Sequence, residues 1–546
     1  MGIIVKVHAN DDDALIAWKI DPWPSDCVGF AVEKRNVKTG EIGWLNNRIP
    51  PKPGATASAQ AGVESNLSPI LRCIWTDHSV DDTDEVQYRV SVVGKGGPGA
   101  ASDWTDPLTI SADDGGGVSG FFNRGTLMSQ IVSRFVSGNP TVAALKKLKE
   151  ELAQPGFPAR RYLSGQARHE ILSFMADADR RGSEVYAALY EVNDQELIDA
   201  LKPFGTRGHV LLGNGSGMKD NLAGELQGLE VHHRDLSHKG ASSPSVHNKF
   251  IVERSVSSGK ALRVLTGSTN WTTTGLCTQL NNVLVIDRPA IANRFYDQWR
   301  RLTEAGDDMP AALKQENAKW VTDGPVSVAF AATPKEEEFE PVLESIEGAD
   351  VDGLFFLMFM PGQSPLLDAL LKRAEGKVGP YVRGVVSTVT ASRNGEIEES
   401  NGRVIRSGQE KNVRDSTLLP AGVPADNAPA WEREEFATKM FLAAGLNAIV
   451  HSKVIVVNPF SDDCAVIAGS HNFSDSASEK NDENIAIVRG NKALAQAYAV
   501  HIQGVYDHYS WRAFLAERGD PNTLYDSLAD WKPGGSRARD LEFWIR

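Results

Sequence analysis

The chain carries VHNKF at residues 246–250 and VHSKV far downstream at 450–454. Each word sets a histidine two residues before a lysine inside an apolar run: His247 with Lys249, His451 with Lys453. Each run crosses a polar turn (ERSVSSGK in one copy, NPFSDD in the other) into a second apolar run, ALRVL or CAVI. These end in TGSTNWT and AGSHNFS, so Ser268 and Asn270 match Ser470 and Asn472. The match continues, because Asn281 lies 11 residues beyond Asn270 and Glu483 lies 11 beyond Asn472, before the runs NNVLVI and ENIAIV. If each residue type makes up about a twentieth of a protein, five fixed positions recur by accident roughly once per million starts. Two copies in one order and one setting therefore read as an internal duplication.

A histidine in an apolar strand is ordinarily a satisfied core residue. A lysine on the same face reverses that preference, since burying an unpaired ammonium is costly. A metal site fits badly: lysine repels a cation, and the repeated positions supply amides and hydroxyls rather than further carboxylates or thiols. No metal and no cofactor is expected. Two imidazoles, two ammoniums and four small polar side chains instead suit an anion with several oxygens, phosphate above all. With an ordinary pKa of about 6.5, one imidazole can attack phosphorus while the other, protonated, serves the leaving oxygen.

The elements that must position these groups follow from the pattern. Both sets read as hairpins, with the His-x-Lys word on the first strand and Gly-Ser-x-Asn closing the second. Upstream of each lies a strand, a helix and a strand: VYAALYEV, DQELIDALKPF capped by Asp194, and HVLLGN in the first copy; LFFLMFMP, SPLLDALLKRAEG capped by Ser364, and VRGVVS in the second. That order gives two α/β halves, spanning 163–310 and 311–518, with the site at their junction. Residues 113–162 read as a linker, ADDGGGVSG, followed by supporting helices, and 519–546 as a peripheral tail. Residues 1–112 differ, with short alternating runs such as ALIAWKI, FAVEKRN and VQYRVSVV between turn residues, which predicts an all-β immunoglobulin-like sandwich. With Trp18 on an early strand and Tyr88, Val90 and Val92 alternating on a late one, this part resembles a fibronectin type III module, which implies a protein or surface partner rather than chemistry.

Composition sets the outer limits. At 546 residues the chain needs several cores. Its net charge of −14 argues against a generally nucleic-acid-coating surface, though not against a local basic cleft. Cys27, Cys73, Cys277 and Cys464 lie far apart and read as reduced thiols. No secretory signal and no transmembrane stretch is evident, so a cytoplasmic location is the default expectation, with signal-less export as the alternative.

The duplicated motifs resemble those of the phospholipase D superfamily, over roughly residues 160–518. The resemblance implies two α-β-α halves related by a pseudo-two-fold axis, and a metal-independent phosphodiesterase working through a phosphohistidine. It also implies that the acidic residue after one half orients the histidine of the other. Glu483 would then serve His247 as nucleophile, and Asn281 would support His451 as the acid. Lys249, Lys453, Asn270 and Asn472, with Ser268 and Ser470, would hold the phosphate. The family motif usually continues to an aspartate, where this chain has Arg254 and Asn458. Related tyrosyl-DNA phosphodiesterases have asparagine at that place. The implied substrate is a phosphodiester, with a phospholipid head group favoured over DNA or RNA, and a catalytically degenerate phosphate-binding protein is the non-enzymatic alternative. The loops 214–245 and 392–435 are expected to form the rim; the charges of His232, His233, Arg234, His238 and Lys239, and of Arg393, Arg403, Arg406, Lys411 and Arg414, read first as those of solvated loops, with a phosphate-steering role as the alternative. Trp271 and Glu191 are further candidates for its wall.

Overall fold

The computed structural model describes residues 2–47, 62–111, 116–125, 141–237, 244–362, 364–375, 379–387, 403–406, 444–446, 449–517 and 525–546. The N-terminal part forms two facing antiparallel sheets. One contains Gly2–Ala9, Ala14–Asp21 and Ile74–Asp77; the other contains Gly29–Asn36, Ile42–Trp44, Glu85–Gly94, Gly97–Ala101 and Leu108–Thr109. The period-two alternation of the sequence buries Val86, Tyr88 and Val90 on one face. Trp18 and Phe30 meet edge to face across the sheets, 5.5 Å between ring centroids. The Tyr88 hydroxyl donates to Asp77 Oδ2 at 2.9 Å, satisfying a polar group the core would otherwise strand.

Two further sheets follow the duplication. The first runs, in spatial order, Val118–Phe122, Asn282–Ile286, Ala261–Gly267, Lys249–Arg254, Glu184–Leu189, Gly208–Leu212 and Glu230–His233. The second runs Val321–Asp323, Val326–Ala331, Glu483–Arg489, Ala465–Gly469, Val454–Val457, Gly353–Met358, Tyr381–Val386 and Arg403–Arg406. From Val118–Phe122 and Val326–Ala331 onward, six strands take the same order in both. The outermost strands differ: Glu230–His233 pairs parallel, Arg403–Arg406 antiparallel. Helices cover the sheets. Asp194 caps Gln195–Leu201 by accepting from Leu197 N, and Ser364 caps Pro365–Ala374 by accepting from Leu366 N. After the last strand of each half comes a long helix, Pro289–Ala305 and Lys492–Glu517. Among the described residues, no helix is long and apolar enough to cross a membrane.

Three expectations are corrected. The segment expected as linker and supporting helices also contributes Val118–Phe122, an edge strand paired antiparallel with Asn282–Ile286. The C-terminal tail is not peripheral. Trp531, Phe543 and Trp544 are buried, and His8 Nε2 lies 3.0 Å from Trp544 O, because this tail fills the seam between the β module and the second half. The histidines sit just before the strands Lys249–Arg254 and Val454–Val457 rather than within them, as does Lys453.

Candidate active site

The halves join by backbone hydrogen bonds that also bring the motifs together. Asp482 N donates to Ser245 O at 3.0 Å, while Leu280 N donates to Ile449 O at 2.8 Å and His451 N to Leu280 O at 2.9 Å. Each histidine segment therefore runs beside the loop that precedes the last strand of the opposite half. As a result His247 Nδ1 lies 2.8 Å from Glu483 Oε2, and His451 Nδ1 lies 2.8 Å from Asn281 Oδ1. The two imidazoles face each other with centroids 6.5 Å apart.

The remaining motif residues close round them. Lys249 Nζ donates to His247 O at 2.7 Å and Lys453 Nζ to His451 O at 2.5 Å. Ser268 Oγ donates to Asn281 Oδ1 at 2.9 Å, and Ser470 Oγ donates to Glu483 Oε2 at 3.0 Å, so each serine holds the residue that holds the opposite histidine. The glycines before them are required by space. A Cβ at Gly267 (φ 144°) would fall 2.3 Å from Asn282 O, and one at Gly469 would fall 2.4 Å from Asn484 O. Asn270 Nδ2 donates to Glu191 Oε2 at 2.8 Å. Asn472 occupies the corresponding place in the second half, where the residue matching Glu191 is Met360.

Burial sets the electrostatics. His247, Lys249, His451, Lys453 and Glu483 are all buried. Loss of water pushes Lys249 down to about 7, against the pull of Glu483 and Glu191, and it holds Lys453 well below the ordinary lysine range. The same desolvation, with the nearby lysines, lowers both imidazoles. It raises Glu483 to about 7, opposed by His471, Lys249 and hydrogen bonds from Asn481 and Ser470. A 2.8 Å hydrogen bond joins His247 to Glu483.

Two aromatic residues escaped the sequence reading. The Tyr190 ring lies 4.8 Å from that of His247, with Lys249 Nζ 5.0 Å from its centroid; Phe359 stands 4.6 Å from His451, with Lys453 Nζ again at 5.0 Å. Both follow equivalent strands, VYAALYEV and LFFLMFMP, so aligning the copies would have found them. His471 was also passed over. It is buried against Glu338 at 3.2 Å and accepts from Phe473 N, which shapes the turn beside Ser470.

Other candidates lie elsewhere. Arg254 is at the far end of its strand, paired with Glu184 at 2.6 Å and stacked on Tyr296. Asn458 (φ 49°) accepts from Asp352 N at 2.9 Å and so shapes a turn. Neither departure from the usual aspartate touches the histidines. Trp271 packs in the core beside Val192. Arg234 is no rim residue: it is buried on Asp482, with Nε 2.7 Å from Oδ2, and ties the halves together. His232 pairs with Glu230 at 2.7 Å, and His233 ends the same strand. Arg403 and Arg406 lie on the outer strand of the second sheet. His238, Lys239, Arg393, Lys411 and Arg414 fall outside the described residues.

Residues 386–505, which contain His451, Lys453, Ser470, Asn472 and Glu483, match a family model described as cardiolipin synthase, PLD-like domain. This part of the chain is therefore similar to a PLD-like domain. The match supports phosphoryl transfer as the class of chemistry. No curated protein matches the chain. Solved structures similar to it include a polyphosphate kinase from Porphyromonas gingivalis, 13% identical, covering 68% of this chain and 50% of that one, with a TM-score of 0.39. This chain thus spans half the length of that kinase. Phosphatidylserine synthase from Haemophilus influenzae is 12% identical over 67% of this chain and 91% of that one, with a TM-score of 0.39. Nuc, a phospholipase D family member from Salmonella typhimurium, is 20% identical over 26% of this chain and 90% of that one, with a TM-score of 0.21.

Proposed function

We propose that the chain is a metal-independent phosphodiester hydrolase in which His247 forms a phosphohistidine and His451 serves as acid, then base. The observation that carries this reading is the pair of facing imidazoles, 6.5 Å between centroids, each held at Nδ1 by a side chain of the opposite half. That spacing admits one phosphorus between the rings, with reacting atoms roughly 3 Å apart on either side. Neutral His247 attacks through Nε2, its Nδ1 proton held by Glu483, and the P–N bond forms as the P–O bond to the leaving group breaks. His451, charged once the phosphate anion lies beside it, gives its proton to the departing oxygen. A water then loses a proton to His451 and attacks phosphorus, the P–N bond breaks, and both rings return to their starting state. Lys249 and Lys453 hold the equatorial oxygens as charge grows.

The carboxylate at Glu483 against the amide at Asn281 supports the assignment, because a carboxylate stabilises the imidazolium that develops on the attacking ring. Phospholipid head groups are the favoured substrate. Phe359 packs on His451 and the next residue, Met360, is 38% exposed, an apolar border suited to lipid. The test is hydrolysis of bis(p-nitrophenyl) phosphate in chelator, with phosphatidylcholine micelles and single-stranded DNA as competitors. His247→Ala and His451→Ala are expected to lose about 10²–10⁴ in turnover, with lipid the stronger competitor. Activity unchanged in both variants removes the reading. Phosphate binding without turnover favours the binding-protein alternative, and salt-sensitive inhibition by DNA favours a nuclease.

A further inference from the structure

The support of the two histidines is not symmetric. Glu483 has two equivalent oxygens, and either can accept from an imidazole. Asn281 has one oxygen and one NH2, so only one orientation of its amide serves His451, and the reversed one would set donor against donor. Something must hold the amide the right way round.

Asn281 Nδ2 donates to Gly275 O at 2.8 Å, which turns Oδ1 toward Ser268 and His451. Behind it stands Asn123, 2% exposed, on the chain just past the edge strand Val118–Phe122. Its Oδ1 accepts from Asn281 N at 2.8 Å. Its Nδ2 lies 3.2, 2.9 and 2.7 Å from the carbonyls of Gly275, Leu276 and Gln279, the turn that leads into Asn281. One buried side chain thus fixes the backbone of the support and the carbonyl to which its amide is bound.

The second half lacks this device. Phe122 pairs with Asn282, and Phe330 pairs with Asn484, so the residue matching Asn123 is Ala331, which has no amide. The extra side chain occurs in the half where an amide replaces the carboxylate. The residues flanking Asn123 belong to the β module's contact. Phe122 N donates to Asp11 Oδ2 at 3.2 Å, and Arg124 Nη2 reaches Asp12 Oδ1 at 2.8 Å and Val80 O at 3.0 Å.

We infer that Asn123 is a positioning residue for the acid–base histidine, acting through Asn281, and that the β module clamps it in place through Phe122 and Arg124. The inference rests on the phosphodiesterase reading. It makes the module part of the catalytic frame rather than a tethered accessory.

A misplaced acid slows poor leaving groups more than good ones, whereas a general loss of structure slows both alike. The full-length chain is assayed on bis(p-nitrophenyl) phosphate and on diphenyl phosphate, whose phenolate leaves less readily. Asn123→Ala is expected to lower the rate of leaving-group release in the first turnover about tenfold more for diphenyl phosphate than for the nitrophenyl ester. Its burst of nitrophenol should persist, and phosphohistidine should accumulate on His247 because the second step needs His451. Asn123→Ala combined with Asn281→Ala should add little to Asn281→Ala alone. Should Asn123→Ala fail to fold, Asn123→Ser is scored in the same way. Equal losses on both esters, no loss, or full additivity overturn the inference while leaving the phosphodiesterase reading intact. A wild type inactive on both esters, or one matched by His451→Ala, overturns that reading as well.

Discussion

Each half buries the lysine of its motif. Lys249 is 2% exposed, and burial brings it down to about 7. In the unfolded chain it binds its proton up to about 10.4. Between these values the unfolded state holds more protons than the folded one, so stability rises as pH increases from 7 toward 10.5. Lys249→Met removes the desolvated ammonium. It should raise the melting temperature at pH 7, flatten that upward slope (Lys453 keeps part of it) and abolish turnover, as calorimetry at pH 7 and 9.5 checks. A lower melting temperature at pH 7 would show that the Lys249 bond to His247 O outweighs the burial. Glu483→Gln tests the other partner. It keeps the size of the side chain but removes the carboxylate 2.8 Å from His247 Nδ1. Phosphohistidine formation should slow about 10–100-fold, read as the nitrophenol burst, while His451→Ala should spare the burst and stop the second step.

At the scale of elements, the site depends on how the two sheets are joined. Thr266 Oγ1 donates to Asn484 Oδ1 at 2.8 Å, and Asn484 Nδ2 donates to Asn248 Oδ1 at 3.0 Å, so polar side chains stitch the two sheets across the pseudo-axis. The strongest tie is Arg234 with Asp482, a two-pronged pair with both side chains fully buried. Arg234→Met leaves Asp482 charged without a partner next to Glu483. The expected cost is about 3–5 kcal/mol in denaturant unfolding, with a drop in turnover. Adding Asp482→Leu should restore most of the stability, since a packed apolar pair replaces a buried ionic one at little net cost. If the double variant is no more stable than the single one, the pair contributes by geometry beyond its charges.

At the scale of the molecule, the β module and the C-terminal segment behave as structural parts of the catalytic halves. Trp544, fully buried, packs against Phe355 of the second sheet at 5.6 Å and against His8 of the module at 5.6 Å. Arg72 of the module pairs with Asp526 at 3.3 Å. Trp544→Ala should therefore cost about 3–5 kcal/mol. It should shift one shared unfolding transition seen by module and catalytic fluorescence alike. Two separate transitions, with only one displaced, would show that the parts fold independently.

By itself the sequence determined the class of the fold and the duplication. These depend on local periodicity and on residue types recurring in order, both of which a linear chain displays. Alignment of the copies also put Glu483 and Asn281 in matching places, and it contained Tyr190 and Phe359 unread. The tertiary structure decided what depends on contacts between distant segments. It placed Val118–Phe122 in a sheet, because an edge strand needs a partner that only folding supplies. It buried the tail, took Arg234 from loop to tie, put Arg254 far from the histidines and set Asn123 behind Asn281. Charge and hydropathy gave no warning of these outcomes, since an arginine or an asparagine reads as surface until the fold provides the partners that satisfy it in the interior.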